Sequence, residues 1–199
     1  MSLSTIPHLP EGYLFREGNP NREGSLVLSF LQQTYQELFP QQIDLSHLRI
    51  TLDGFLSPMT PLVWVDQKDD KNPTSMMPPM AYGMVAPHPS HPPNSGLNPV
   101  AGLWIGTVVD QVTGDRQSYI LMLYVKPDHR RQGIGSALMD WAERWAKKRG
   151  DRAIGLHVFI TNRPAVNLYE KLGYFPQTMG MLKPLKPLNE LQTIIEFPI

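Results

Sequence analysis

Arg130, Arg131, Gln132, Gly133, Ile134 and Gly135 stand directly before a stretch of helical periodicity. These residue types suit an anion. The first four backbone N–H groups of a helix have no partner inside it, and with the helix dipole they attract negative charge. Glycines remove the side chains that would keep a ligand off the backbone, and arginines add donors matched to phosphate oxygens. Two familiar phosphate loops do not fit. No Gly-Lys-Ser/Thr follows the first glycine, and Leu138 stands where the dinucleotide fingerprint needs its third glycine. A Gly-x-Gly also serves as a simple strand-to-helix turn, so the anion seat and the tight turn both stand on this pattern alone.

Other chemistry is thinner. His88 and His91 sit among prolines in a segment without an obvious third ligand, whereas a metal needs three or four; no metal is expected. The chain has no cysteine, which excludes disulfides, thiolate metal sites and a cysteine nucleophile. Lys+Arg and Asp+Glu both number 18, which argues against a nucleic-acid binder working through bulk charge. The N-terminus lacks a basic, apolar leader pattern and no apolar run is long enough to span a bilayer. The expectation is a soluble, cytoplasmic protein with no membrane partner.

The elements that must position the loop follow from periodicity. Tyr13–Arg16 reads as a short strand, and Ser25–Phe39 as a helix capped at Gly24-Ser25 and stopped by Pro40. A short helix near Leu45–Leu52 is expected to be ended by Gly54 and Pro58, and Leu62–Val65 to form a strand. Residues 67–99 are dense in proline and read as an irregular insertion. Val100–Asp110 and Ser118–Lys126 flank Thr113-Gly114-Asp115 and predict a hairpin. Asp110 and Asp115 are assigned to the hairpin end and turn. The helix Ser136–Arg149 should face inward with Ile134, Leu138, Trp141 and Trp145. A strand Ala153–Ile160 and a helix Pro164–Leu172 closed by Gly173 follow, then strand candidates Gln177–Pro184 and Leu191–Phe197. The class is α/β, one domain over 1–199, with a strand–helix–strand crossover in its second half.

Two segments together resemble the GNAT acetyltransferase family. Leu123-Tyr124-Val125-Lys126-Pro127-Asp128-His129-Arg130-Arg131-Gln132-Gly133-Ile134-Gly135 is similar to the family's strand, proline and Arg/Gln-x-x-Gly-x-Gly/Ala loop. Asn162-Arg163-Pro164-Ala165-Val166-Asn167-Leu168-Tyr169-Glu170-Lys171-Leu172-Gly173-Tyr174 is similar to its Asn-x-x-Ala-x-x-Leu-Tyr segment. The insertion at 67–99 departs from the family's short link. The resemblance implies a mixed sheet flanked by helices, whose fourth and fifth strands splay apart to admit the arm of acetyl-CoA. It places backbone groups of Leu123, Tyr124 and Val125 on that arm, residues 130–135 around the diphosphate, and Asn162 further along the arm.

The implied reaction is transfer of an acetyl group to a primary amine by direct attack. Tyr169 matches the family's tyrosine and is the implied general acid; as an aromatic beside Leu168 and Leu172 it also suits a core position. His157 stands where some relatives acting on protein N-termini carry a glutamate. It is the candidate general base, against a structural hydrogen bond in the sheet. Trp104, Tyr119, Tyr124 and Phe159 either line the acceptor cleft or pack. The same fold also suits a non-catalytic acyl-CoA-binding regulator. The acceptor, a small molecule or a protein amine, and homodimerisation are left open.

Overall fold

A computed structural model of the chain describes residues 8–68, 98–183 and 185. Five strands, β1 (Tyr13–Glu17), β2 (Leu62–Gln67), β3 (Pro99–Val109), β4 (Arg116–Val125) and β5 (Ile154–Leu156), form one sheet in sequence order. The first four run antiparallel, and β4 and β5 are parallel. The parallel step requires a crossover, made by α3 (Ile134–Arg149). Helices α1 (Gly24–Leu38) and α2 (His47–Phe55) cover one face, and α3 with α4 (Arg163–Lys171) covers the other.

Strand alternation produces the two cores. Trp64, Trp104, Met122 and Tyr124 meet Val27, Phe30, Leu48 and Leu52 on the α1/α2 face. Val63, Val65, Leu103, Ile105 and Ile120 meet Ile134, Leu138, Met139 and Ala142 on the α3 face. Gly102 permits this packing on the first face, because a Cβ there would lie 2.4 Å from the Trp64 ring.

Several boundaries differ from the sequence expectation. Helix α1 is anchored by Glu23 rather than by Gly24-Ser25: its carboxylate accepts from Asn19 N at 2.6 Å, Arg16 Nη1 at 2.7 Å and Trp64 Nε1 at 3.1 Å. Gly54 lies inside α2, which ends one residue later at Phe55, ahead of Pro58. The deep face of α3 is Ile134, Ala137, Leu138, Met139, Ala142 and Ala146, with Trp141 and Trp145 on its flank. The small alanines let α3 approach the sheet closely, so the bulky indoles are displaced sideways. Residues 177–183 form no strand. The insertion, with His88 and His91, and the candidate Leu191–Phe197 lie outside the described residues, apart from 67–68 and 98–99.

Candidate active site

The site begins where β4 and β5 part. Their pairing runs only from Ser118↔Ile154 to Ile120↔Leu156. At that level β4 carries a bulge: Trp104 faces Met122 and Ile105 faces Ile120, so Leu121 is the extra residue. Its side chain lies over Gly106, where a Cβ would stand 2.7 Å from Leu121 Cδ1. A bulge bends its strand and increases its twist. Here the bend coincides with the end of pairing. β5 itself stops at Leu156, four residues short of the predicted Ile160, since beyond the bulge it meets no ladder.

The exposed stretch of β4 has a definite polarity. Lys126 N donates to Val100 O at 2.8 Å. Antiparallel alternation then turns the backbone groups of Tyr124 to β3, and those of Leu123 and Val125 into the opening. Tyr124 therefore meets the site with its side chain rather than its backbone. Its hydroxyl donates to Glu37 Oε1 at 2.6 Å, and burial, aided by that bond, raises its pKa to about 12.

The loop after β4 is built to expose amides. A 3-10 turn, Pro127–His129, leads into Arg131 at φ 62° and Gly133 at φ 88°. Arg131 is the one non-glycine residue with positive φ among the described residues. This left-handed conformation is uncommon for an L side chain. Left-handed residues interspersed in such a turn aim successive N–H groups into one concavity. Among the described residues, the amides of Arg131, Gln132 and Gly133 meet no acceptor, and Gly133 caps α3 without a side-chain bond. A Cβ at Gly133 would meet nothing within 4 Å, whereas one at Gly135 would lie 3.3 Å from Leu168 Cδ2. Gly133 thus serves the backbone turn, and Gly135 lets α3 seat against α4. Ile134 is buried in the α3-side core and contributes only its backbone. A cavity of about 480 Å³ opens beside Gly133, Ser136 and Leu172.

The loop side chains divide. Arg130 turns away from the nest: Nε donates to Val125 O at 2.8 Å, and Nη2 pairs with Glu37 at 2.7 and 2.9 Å. Gln132 accepts from the Tyr13 hydroxyl at 3.1 Å, and the same hydroxyl lies 2.8 Å from His129 Nδ1. Arg131 is exposed and makes no ion pair among the described residues.

Across the sheet, His157 follows β5 directly, and its Nδ1 lies 2.5 Å from the Tyr119 hydroxyl. Phe159 packs edge-on against Phe39 at the end of α1, with ring centroids 4.9 Å apart. Tyr119 thus sits with His157 beside the paired segment and Phe159 with Phe39, while Trp104 is wholly buried. Tyr169 packs on the α3 side, where burial raises its pKa to about 12 and keeps its hydroxyl protonated at neutral pH. Asn162 caps α4, accepting from Ala165 N at 3.3 Å. Asp110 accepts from Val112 N and Thr113 N and closes the hairpin as expected. Glu37 and Tyr13 were not singled out in the sequence; neither has a local motif, and both reach the loop only through the fold. No group of His, Asp or Glu among the described residues is arranged to hold a metal, and no helix among them is long and apolar enough to cross a membrane.

The acetyltransferase (GNAT) family model matches residues 31–174. A protein of Bacillus subtilis named as a putative [ribosomal protein bS18]-alanine N-acetyltransferase is 30% identical over 134 residues, covering 67% of this chain and 76% of that one. An uncharacterized N-acetyltransferase of Methanocaldococcus jannaschii is 44% identical over 52 residues, or 26% of this chain and 23% of its own length. The match therefore spans about a quarter of that relative. The crystal structure of a predicted acetyltransferase with acetyl-CoA from Clostridium acetobutylicum superposes with a TM-score of 0.59 at 18% identity, covering 87% of this chain and 96% of that one.

Proposed function

The chain belongs to the GNAT acetyltransferase family and is an acyltransferase; from that premise we propose that it transfers an acetyl group from acetyl-CoA to the α-amine of a protein or peptide. The observation that carries the reading is the parted end of β4 beside a nest of unpaired amides. Acetyl-CoA supplies an activated thioester. Leu123 C=O and Val125 N–H pair with its amide-bearing arm as a further strand would, which leaves the Leu123 N–H for the acetyl oxygen. The amides of residues 131–135 and the Arg131 guanidinium hold the diphosphate. Arg130 belongs to the same motif, but its guanidinium is occupied by Val125 O and Glu37, and it serves as a support.

An α-amine acceptor is supported by a relative named for ribosomal-protein alanine and by proton affinity. At pH 7, deprotonating a lysine amine costs about 4.6 kcal/mol, and an α-amine only about 1 kcal/mol. An exposed histidine such as His157, oriented by Tyr119, suffices for the second task. His157 takes the amine proton as nitrogen bonds to the acetyl carbon. A wedge-facing N–H of β4 stabilises the developing oxyanion. Tyr169 delivers a proton to the departing sulfur.

The test combines binding and turnover. CoA at 100 times its dissociation constant should stabilise the fold by about 2.7 kcal/mol. Acetyl-CoA with an alanine-starting peptide should release free thiol, a clean signal in a chain without cysteine. CoA binding without thiol release from any amine would instead establish the regulator reading, and no thermal shift with CoA would overturn both.

A further inference from the structure

Arg130 belongs to the sequence pattern of the diphosphate loop, yet its guanidinium is committed elsewhere. Nε binds the Val125 carbonyl, and Nη2 forms a forked pair with both oxygens of Glu37. The same carboxylate accepts from the Tyr124 hydroxyl, and the Arg130 guanidinium carbon lies 5.5 Å from the Tyr124 ring centroid. Three elements meet here: the end of α1, the parted end of β4 and the loop. We propose that Glu37 and Arg130 are positioning residues that brace the loop, leaving the diphosphate to the backbone nest and Arg131.

The physical case rests on what the brace fixes. Val125 is the last residue of β4, and its carbonyl faces the opening. Arg130 caps that carbonyl, so the edge offered to a pseudo-strand ends at the Val125 amide. The next residue, Arg131, is held at a left-handed φ that an L side chain rarely adopts. Such a backbone persists only when its surroundings over-determine it. The residue before it, gripped at two points, supplies that constraint on one side. Tyr13, bound to His129 and Gln132, supplies it on the other. Arg130 and Glu37 are about 41% and 38% exposed, so an isolated surface pair would do little for stability. Its value lies in orientation, through the forked geometry and the tyrosine that fixes the carboxylate.

The proposal rests on the CoA-binding reading above and separates from it by experiment. Calorimetry would measure CoA binding to the full chain, Glu37→Gln, Arg130→Gln, the double variant and Arg131→Gln, across a salt series. The expected result is a loss of about tenfold for Glu37→Gln and for Arg130→Gln, with the double variant no worse than either. Their salt dependence should match the unmodified chain, whereas Arg131→Gln should flatten it, since only a guanidinium on phosphate is screened in that way. Glu37→Asp should recover part of the loss. The unmodified chain failing to bind CoA would defeat the CoA-binding reading. If it binds but Glu37→Gln binds equally well or more tightly, Arg130 is either irrelevant or a phosphate ligand held in check, and the brace alone is overturned. Additive losses with a flattened salt slope for Arg130→Gln would overturn it too.

Discussion

The two ends of the β4–β5 pair use opposite physics. At the closed end, Ser118–Ile120 pairs with Ile154–Leu156, and Ser118, Arg116 and Arg149 converge on Asp151. Asp151, with no exposed side-chain surface, takes Ser118 Oγ at 2.5 Å, Arg116 Nε at 3.1 Å and a close fork from Arg149. Burial pushes the Asp151 carboxyl up, but the Arg149, Ser118 and Arg116 contacts outweigh it and hold it below the ordinary value of 3.8. At the open end, Leu121 bulges out, Leu123 and Val125 face no strand, and the amides of Arg131, Gln132 and Gly133 meet no acceptor among the described residues. The contrast teaches that the closed end is a hinge pin which lets the open end stay unsatisfied.

The largest expected effect probes the open end. Tyr169→Phe should lower kcat by about 10²–10⁴, the usual weight of a general acid, with CoA affinity unchanged; a kcat within threefold of the parent would return Tyr169 to a packing role. The closed end should answer in stability. Asp151→Ala leaves Arg149 without its buried partner and should cost about 3 kcal/mol in urea unfolding. The pH sign follows from the lowered pKa. Asp151 contributes stability that is present above its unfolded value and lost as pH falls through the folded one, so Asp151→Asn should flatten the acid limb of the stability curve. If Asp151→Ala instead abolished CoA binding with stability intact, the division between the two ends would break.

Gly133→Val should separate turn from core. Its φ of 88° opposes a β-branched residue, while the surrounding space is empty. The strain of about 1–2 kcal/mol should appear as roughly a tenfold or greater loss in CoA affinity, with core packing, read by near-UV dichroism, preserved. The smallest effect belongs to His157→Gln. For an α-amine the proton burden is about 1 kcal/mol, so turnover should fall about tenfold or less, with a changed acidic limb of the pH–rate profile. An unchanged limb would assign His157 to a structural bond with Tyr119.

Much of the open end is legible in the chain because its chemistry is local. The glycines, the arginines and Pro127 lie within nine residues and dictate a turn, a nest and a helix start. Tyr169 and Asn162 are likewise set on one short helix. What the chain conceals is non-local. Ala153–Ile160 alternates like a full strand, yet only Ile154–Leu156 pairs, because the bulge depends on Leu121 finding Gly106 across the ladder. Arg130 looks like a phosphate donor until the fold brings Glu37, 93 residues away, against it. Tyr119 and His157 meet over 38 residues, through a crossover that periodicity predicts without fixing register.

The central claim is that the unpaired edge of β4 and the loop amides receive CoA. Backbone amide resonances, followed by NMR as CoA is added, test it most directly. Slowed hydrogen exchange and large shifts are expected at Leu123, Val125 and Gly133, with Ser118–Ile120 unmoved. Saturating CoA that leaves those three amides unperturbed, or that acts chiefly on the zipped segment, would contradict it.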